Sequence, residues 1–386
     1  MKTDKIRFLV FAMNDPKFLL PVLKSFDLDD RIEYKSLLFL HNKKSQCKIS
    51  DVDDLEIIRD KKTLKSRLAK DDYDVVYFFS MVDVWWKVLD YIPKNKKIIW
   101  WAWGYDLYDV QARGLKPLIK LPLYKAKALK LLHHTLWGLK ESVRTKLLEY
   151  TLGLYYGALR KHRMYRIDYI QPVFSLEYEY IKGLNLSNFK ALPFYTLQQI
   201  QKTDFLLSQR NPNGSIILGH SAQITGNHLD VFTDIKKYIP MGREIVIPLN
   251  YGMMDYADIV KKVVVTQGES MNIRILDKFL PLDEYHNLLK NCSYAIYGAI
   301  RQQAMGNISW AIRQGIKVFL YKDSMMYKHL KNCGIIVYAI EEIDEKSFST
   351  PLSKEELEIN MNAKMQELKD RAVVYDKVMN QLLNEL

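Results

Sequence analysis

The chain has 386 residues, 48% of them hydrophobic and 26% charged, a composition normal for a globular protein that argues against disorder and leaves room for two ordinary domains. A formal net charge of +12 calls for an anionic partner, whether a phosphorylated substrate, a nucleic acid or an acidic membrane face. The three cysteines, Cys47, Cys292 and Cys333, form no CxxC or Cys/His motif, so a reducing compartment is expected instead of a disulfide framework or a metal finger.

From Met1 the chain enters an apolar run, Ile6–Ala12, with no signal-peptide core or cleavage site, and a cytoplasmic location is expected. Strand-like runs follow at Lys35–His41, Leu55–Ile58, Asp74–Phe79, Lys97–Trp103 and Asp168–Val173, with helical stretches between most of them. Short strands that are apolar on both faces and alternate with helices predict a parallel sheet covered on both sides. The most apolar stretch, Val75–Ile92, contains Asp83, Lys87 and Asp90, so it falls short of the ~18 uncharged residues of a membrane span.

Residues Arg113–Arg166 interrupt this rhythm. Thirteen Lys or Arg stand there against two acids, Glu141 and Glu149, with leucines, tyrosines and Trp137 between them. Basic and apolar residues interleaved on a helical period describe a helix lying on an anionic membrane surface. The alternative is a pair of solvated helices packed on the sheet. Nucleic acid is not the expected partner, because no RRM, KH or OB pattern accompanies the charge.

Leu186–Gly214 is polar and carries Pro193, Pro212 and Gly214. A second series of strands follows at Ser215–Gly219, Glu244–Pro248, Asn272–Ile275, Ser293–Tyr297, Ile316–Tyr321 and Ile335–Tyr338. The expected organisation is an α/β chain with two Rossmann-like domains, 1–205 and 206–352. A helical tail, 353–386, is expected to pack back on the first domain.

Two strand–turn–helix junctions in the second half carry the polar residues of a ligand site. Ile216–Ile235 places Gly219, His220, Ser221, Thr225, Gly226, Asn227 and His228 after a strand; its glycines permit close approach, and its Ser, Thr and Asn suit helix caps or phosphate contacts. Ser293–Tyr321 places Arg301, Gln302, Gln303 and Gly306 at the corresponding point. Free N–H groups and the helix dipole would meet an anion there, and Arg301 adds full charge. Neither GxGxxG nor GxxxxGK[ST] is present, which removes the support for a Rossmann dehydrogenase or a P-loop NTPase. At the ends of strands in one sheet, the two turns would share one crevice.

The runs GHS at 219–221, GNHL at 226–229, VIPLNYG at 246–252, LPLDEYHNLLKNC at 280–292 and IRQQAMG at 300–306 resemble the bacterial TDP-N-acetylfucosamine:lipid II N-acetylfucosaminyltransferases. These form the 4-alpha-L-fucosyltransferase family and act in enterobacterial common antigen synthesis. WGYDLY at 103–108 and Asn14-Asp15 also resemble that family's pattern. The resemblance spans about 216–340 and is patchy in the first half. It implies a GT-B architecture with parallel sheets facing a cleft, the donor on the C-terminal domain and the acceptor on the N-terminal one. It implies a nucleotide-sugar donor, a polyprenyl-diphosphate-linked acceptor, and peripheral attachment to the cytoplasmic face of the inner membrane.

Under that resemblance Arg301 and the Gln302–Gly306 turn would neutralise the donor diphosphate, where charge develops as the bond breaks. Ser221, Asn227 and His228 would hold phosphate or sugar, and His220 would serve likewise. Tyr251 would stack on the base, unless it is a plain surface aromatic, and the backbone near Phe279–Leu282, including Leu280, would read the base edge. Asp15 is the first candidate for the general base that takes the acceptor's proton, with an inverting outcome, and Asp106 is the second. Either could instead cap a helix or turn; Asp15 precedes Pro16, a common N-cap pair.

Three Asp-x-Asp triplets, Asp27/Asp29, Asp51/Asp53 and Asp72/Asp74, lack the strand-exit position of a metal-binding DxD. No catalytic metal and no cofactor are therefore expected. Two rival readings stay open, a GT-B-fold nucleotide-sugar 2-epimerase and a non-catalytic protein that binds anionic lipid or nucleic acid.

Overall fold

The computed structural model describes residues 5–386 apart from 41–44, 50, 51, 53, 82–84, 109–116, 132–142, 186, 194–200 and 279. Its strands are β1 (Ile6–Phe11), β2 (Ile32–Phe39), β3 (Glu56–Ile58), β4 (Val75–Phe78), β5 (Lys97–Ala102), β6 (Tyr169–Pro172), β7 (Lys190–Ala191), β8 (Ser215–Leu218), β9 (Glu244–Pro248), β10 (Asn272–Leu276), β11 (Cys292–Tyr297), β12 (Lys317–Leu320) and β13 (Tyr338–Ala339). In the first half the helices are α1 (Pro16–Phe26), α2 (Lys61–Leu68), α3 (Trp85–Val88), α4 (Gly104–Leu107), α5 (Ala126–Leu131), α6 (Val143–Arg163) and α7 (Ser175–Lys182). The second half adds α8 (His228–Ile235), α9 (Met254–Gln267), α10 (Leu282–Leu289), α11 (Met305–Arg313), α12 (Met325–Asn332) and α13 (Lys354–Glu385).

The chain forms two compact units. The first comprises Met1–Lys120, Ser142–Gln199 and Leu368–Leu386, and the second Leu121–Glu141 and Ile200–Glu367. Among the described residues the first unit holds one sheet in the order β3-β2-β1-β4-β5-β6-β7 and the second holds one in the order β10-β9-β8-β11-β12-β13. Every strand pair in both sheets is parallel. Each sheet starts in its middle, grows to one edge and then reverses, which is the doubly wound topology.

The burial follows from the sequence. All four residues of β4 and all six of β11 are buried, as central strands under helices must be. In the first unit Phe8, Tyr77, Phe79 and Trp101 pack with Leu19, Leu23 and Phe26 of α1. Tyr375, Met379 and Leu382 of α13 join that core, and the Tyr375 hydroxyl bonds Asp29 at 3.2 Å. In the second unit Ile216, Ile247, Tyr294 and Ile296 pack with Val231, Phe232 and Tyr256.

Two differences from the sequence reading stand out. Strand β7 has two residues, too short to leave a periodic signal. Leu121–Glu141, read as part of the first domain's basic region, belongs to the second unit. The reason is local: Asn227 Oδ1 accepts from Lys125 N–H at 2.8 Å, and the Asp230 carboxylate accepts from Lys127 N–H at 2.7 Å and Ala128 N–H at 2.9 Å. An acidic group on the first N–H donors of α5 satisfies them and suits the helix dipole. Ala128 is fully buried in the second unit's core.

Candidate active site

In the second unit the strand order reverses between β8 and β11. Ligands of open α/β sheets bind outside the carboxyl ends of the strands at such a reversal. Beyond β8, Gly219 takes φ +77, and a Cβ there would stand 2.3 Å from His228 Nε2, so only glycine lets the turn pass the imidazole. Beyond β11, a Cβ on Gly298 would stand 2.6 Å from the carbonyl oxygen of Gly226. The two turns therefore touch backbone to backbone.

A side-chain bond ties them as well. Thr225 Oγ1 donates to Gln303 Oε1 at 2.7 Å, with both residues buried. Gln303 Nε2 is buried and has no partner among the described residues, a donor that an anionic ligand would satisfy. The Arg301 guanidinium donates to the carbonyl of Gln302 at 3.0 Å and so is held against its own turn. Ala304 takes φ 61 where α11 begins, and Gly306 in the first turn faces open space. A helix start of this kind presents free N–H groups and a positive dipole end.

Ser221 is fully buried, and its Oγ lies 3.1 Å from His220 Nε2. The His220 ring meets Tyr251 edge-on with centroids 6.3 Å apart. Tyr251 keeps 40% of its surface exposed, which suits a stacking platform, and partial burial raises its hydroxyl pKa.

Two expected ligands have structural positions instead. Asn227 Nδ2 donates to the carbonyls of Leu123, Thr225 and Gly298 while its Oδ1 accepts from Lys125. Its amide is spent on holding the turn. The His228 ring is 1% exposed, and Nδ1 lies 3.3 Å from the Tyr256 hydroxyl. Burial pushes its pKa down to about 4, so near neutrality it is uncharged and brings no positive charge to a phosphate. Leu280 is half-buried just before α10, and Phe279 lies outside the described residues.

Sequence reasoning missed Tyr285 and Tyr297. Both hydroxyls are buried without a partner among the described residues, and burial pushes both pKa values up, with Tyr251 close enough to contribute. Tyr285 lies inside the 280–292 run, so its position was signalled; the burial of its hydroxyl and that of Tyr297 was not.

In the first unit the order reverses between β1 and β4. Asp15 follows β1, and its carbonyl accepts from the N–H groups of Phe18 and Leu19 at 3.2 Å, so it does cap α1. Its half-buried carboxylate stands at the carboxyl edge of the sheet. Asn14 beside it bonds Gln46 and Lys48, both at 2.8 Å, fixing the neighbouring loop.

Asp106 is buried, and its Oδ2 accepts from Met81 N–H at 3.1 Å, Trp100 Nε1 at 2.9 Å and Trp103 N–H at 3.3 Å. That carboxylate ties three segments together. The Asp-x-Asp triplets are likewise engaged: Asp29 pairs with Arg31, Asp72 with Lys35 and Arg67, and Asp74 with Arg7, while Asp51 and Asp53 lie outside the described residues.

Several solved structures are similar to the whole chain. HepE from Anabaena, in complex with UDP and glucose, is 12% identical with a TM-score of 0.54, over 98% of this chain and 99% of that one. An alpha,alpha-trehalose 6-phosphate synthase from Burkholderia multivorans is 8% identical with a TM-score of 0.60, over 99% and 97%. WaaG, a glycosyltransferase of lipopolysaccharide biosynthesis, is 10% identical with a TM-score of 0.54, over 97% and 99%. The fold is thus the GT-B glycosyltransferase fold. The family model of 4-alpha-L-fucosyltransferase, glycosyl transferase group 56, matches residues 125–357, more than half of the chain, and the protein belongs to that family and is a hexosyltransferase.

Proposed function

We propose that this glycosyltransferase moves a deoxyamino-hexose, of the N-acetylfucosamine type, from a thymidine-diphosphate donor to a polyprenyl-diphosphate-linked saccharide in cell-surface polysaccharide synthesis. The observation that carries this reading is the pair of turns at the β8/β11 reversal, coupled through Thr225 and Gln303, with the Arg301 guanidinium held against the second turn. Arg301, Gln303 Nε2 and the first N–H groups of α11 hold the diphosphate, while Tyr251 stacks on the base. In the transfer an acceptor hydroxyl oxygen attacks the anomeric carbon. The bond from that carbon to the diphosphate oxygen breaks, and its electron pair passes to the leaving group.

Fixed positive charge at Arg301 and α11 stabilises that oxygen; in this reading no divalent metal shares the task. Asp15 takes the hydroxyl proton, and the anomeric configuration inverts. Asp106 serves the fold, since three N–H donors already converge on one of its oxygens.

The acceptor's lipid places the enzyme at an anionic leaflet, and α6 supports that. Its Leu147, Leu148, Tyr150, Leu152, Leu154 and Tyr155 are all exposed, while Leu159 is buried. No helix among the described residues is long and apolar enough to cross a membrane. The full stretch of basic residues is not available for contact: Lys125 pairs with Asp323, Arg163 with Asp90, and Arg166 bonds the carbonyls of Ile92 and Pro93.

A thermal-shift panel of TDP, UDP and GDP tests the reading. TDP should raise the melting temperature most, because a ligand that binds only the native state stabilises it. Three flat responses would remove the donor site from the β8/β11 reversal. Release of TDP with the sugar passed to water would point to a hydrolase, and a nucleotide sugar recovered with its C2 configuration changed would point to an epimerase.

A further inference from the structure

His329 and Cys333 are four residues apart, one inside α12 and the other capping its end, so they share one helix face. Across from them stands Glu367 of α13. His329 Nε2 lies 3.1 Å from Glu367 Oε1 and 3.8 Å from Cys333 Sγ. One ligand atom from each of the three residues falls within 4.8 Å of the others. We propose that His329, Cys333 and Glu367 form a zinc(II) site that staples α12 to α13, apart from the sugar-transfer chemistry.

Zinc bonds of about 2.0–2.3 Å place the ligand atoms of a tetrahedral site roughly 3.3–3.7 Å apart. The two spacings from His329 Nε2 lie within a few tenths of an ångström of that range, while the Cys333 thiol, which stands 3.9 Å from Nδ1 as well and within 4.8 Å of the Glu367 carboxylate, must swing toward Nε2 and Oε1 to complete it. The donor set is one that zinc accepts: an imidazole, a thiolate and a carboxylate, with water completing four. His329 is 4% exposed and Glu367 8%, so the imidazole and carboxylate are already held out of bulk water. Lys364 donates to Glu367 Oε2 at 2.6 Å, leaving Oε1 as the ligand atom and orienting the carboxylate as outer partners of metal ligands do.

The opposing reading is a buried His–Glu–Lys ion network with a bystander thiol. It predicts no dependence on Cys333, and that distinguishes the two. The test uses the full chain without a histidine tag, stripped with a chelator and titrated with zinc chloride against a chromogenic competitor. One equivalent should bind with a submicromolar Kd. Cys333→Ser should weaken binding by more than the ~10–100-fold that losing a supporting partner costs. Cys47→Ser should leave it unchanged, and Lys364→Ala should retain stoichiometric binding.

Cobalt(II) loading gives a second readout that needs no variant to fold. The wild-type complex should show thiolate-to-cobalt charge transfer and the d–d bands of a tetrahedral site. Absence of stoichiometric zinc binding, an unchanged Kd for Cys333→Ser, or a cobalt spectrum without the thiolate band would each overturn the proposal.

Discussion

The hydroxyl of Thr225 donates to Gln303 Oε1 at 2.7 Å, although the two residues are 78 positions apart. This bond fixes the orientation of the Gln303 amide. With Oε1 occupied, Nε2 becomes the group left to face a ligand. Thr225 thus orients a side chain of the facing turn without belonging to it.

Replacing Thr225 with Val should therefore weaken donor binding without touching the donor. A buried amide oxygen left unsatisfied costs about 1–3 kcal/mol, and the freed amide can rotate. We expect donor Kd to rise about 5–150-fold, with Thr225→Ser restoring most of it. Calorimetric titration with the nucleoside diphosphate measures both. An unchanged Kd in the valine variant would show that Gln303 does not contact the donor.

Arg301 gives the second prediction. If its charge stabilises the leaving diphosphate, Arg301→Ala should lower kcat/KM by about 100–1,000-fold, and kcat and donor affinity should fall together. Arg301→Lys should recover only part, because an ammonium is a point charge without the planar fork. Steady-state kinetics with unaltered constants for the alanine variant would discard the role.

The architecture and both turns were legible in the sequence because strand runs buried on both faces have a strong signature. Side-chain allocation was less so. Gly219, Thr225, Arg301 and Gln303 were singled out, and the structure gathers them at one reversal. Asn227 and His228 have the same residue chemistry and the same proximity to a turn. The structure spends the first on four backbone groups and seals the second from water. Which amide faces inward depends on Leu121–Leu131 folding against α8, a contact about a hundred residues away in sequence. In the His329, Cys333 and Glu367 cluster the His329–Cys333 spacing is local, but Glu367 comes from another helix and could not be placed beside them for the same reason.

Asp15 and Asp106 can be separated by what each substitution breaks. Asp15→Asn should lower kcat by about 100–10,000-fold and leave the melting temperature close to wild type, since the main-chain carbonyl that caps α1 is retained. Asp106→Asn should mainly destabilise. An amide offers weaker acceptance to the three N–H groups that now meet a carboxylate oxygen, and loss of such a charged network costs about 2–5 kcal/mol. Parallel melts and initial rates decide; a catalytically dead but fully stable Asp106→Asn would reverse the assignment.

The proposed membrane contact through α6 predicts a split between apolar and electrostatic terms. Leu147→Ser with Leu154→Ser removes exposed apolar surface, and each leucine withdrawn contributes about 1.5–3 kcal/mol when fully buried. Flotation with vesicles containing anionic lipid should fall for this double variant at every salt concentration. Arg160→Ala with Lys161→Ala should weaken flotation chiefly at low salt, at about 1 kcal/mol per charge near the surface. Wild-type levels of flotation in both would place the membrane face elsewhere.

Glu177 supplies a prediction about pH. It is completely buried in the first unit, accepting from Phe174 N–H at 3.0 Å and from the Tyr108 hydroxyl at 2.8 Å. Burial pushes its pKa up to about 7, against the opposing pull of those hydrogen bonds. The native state therefore holds this proton above the pH at which the unfolded chain, with a pKa near 4.3, has lost it. Stability contributed here is complete below about pH 4 and declines as pH rises toward 7. Glu177→Gln mimics the protonated acid and removes that slope. The variant and wild type should melt alike near pH 4, and above pH 7 the variant should be more stable by about 3–4 kcal/mol. His228 acts in the opposite sense: its pKa of about 4 makes stability fall as pH drops below 6.5. Both proteins carry His228, so its effect cancels in the difference between them. A constant gap from pH 5 to pH 8 would mean that Glu177 ionises as an ordinary carboxylate.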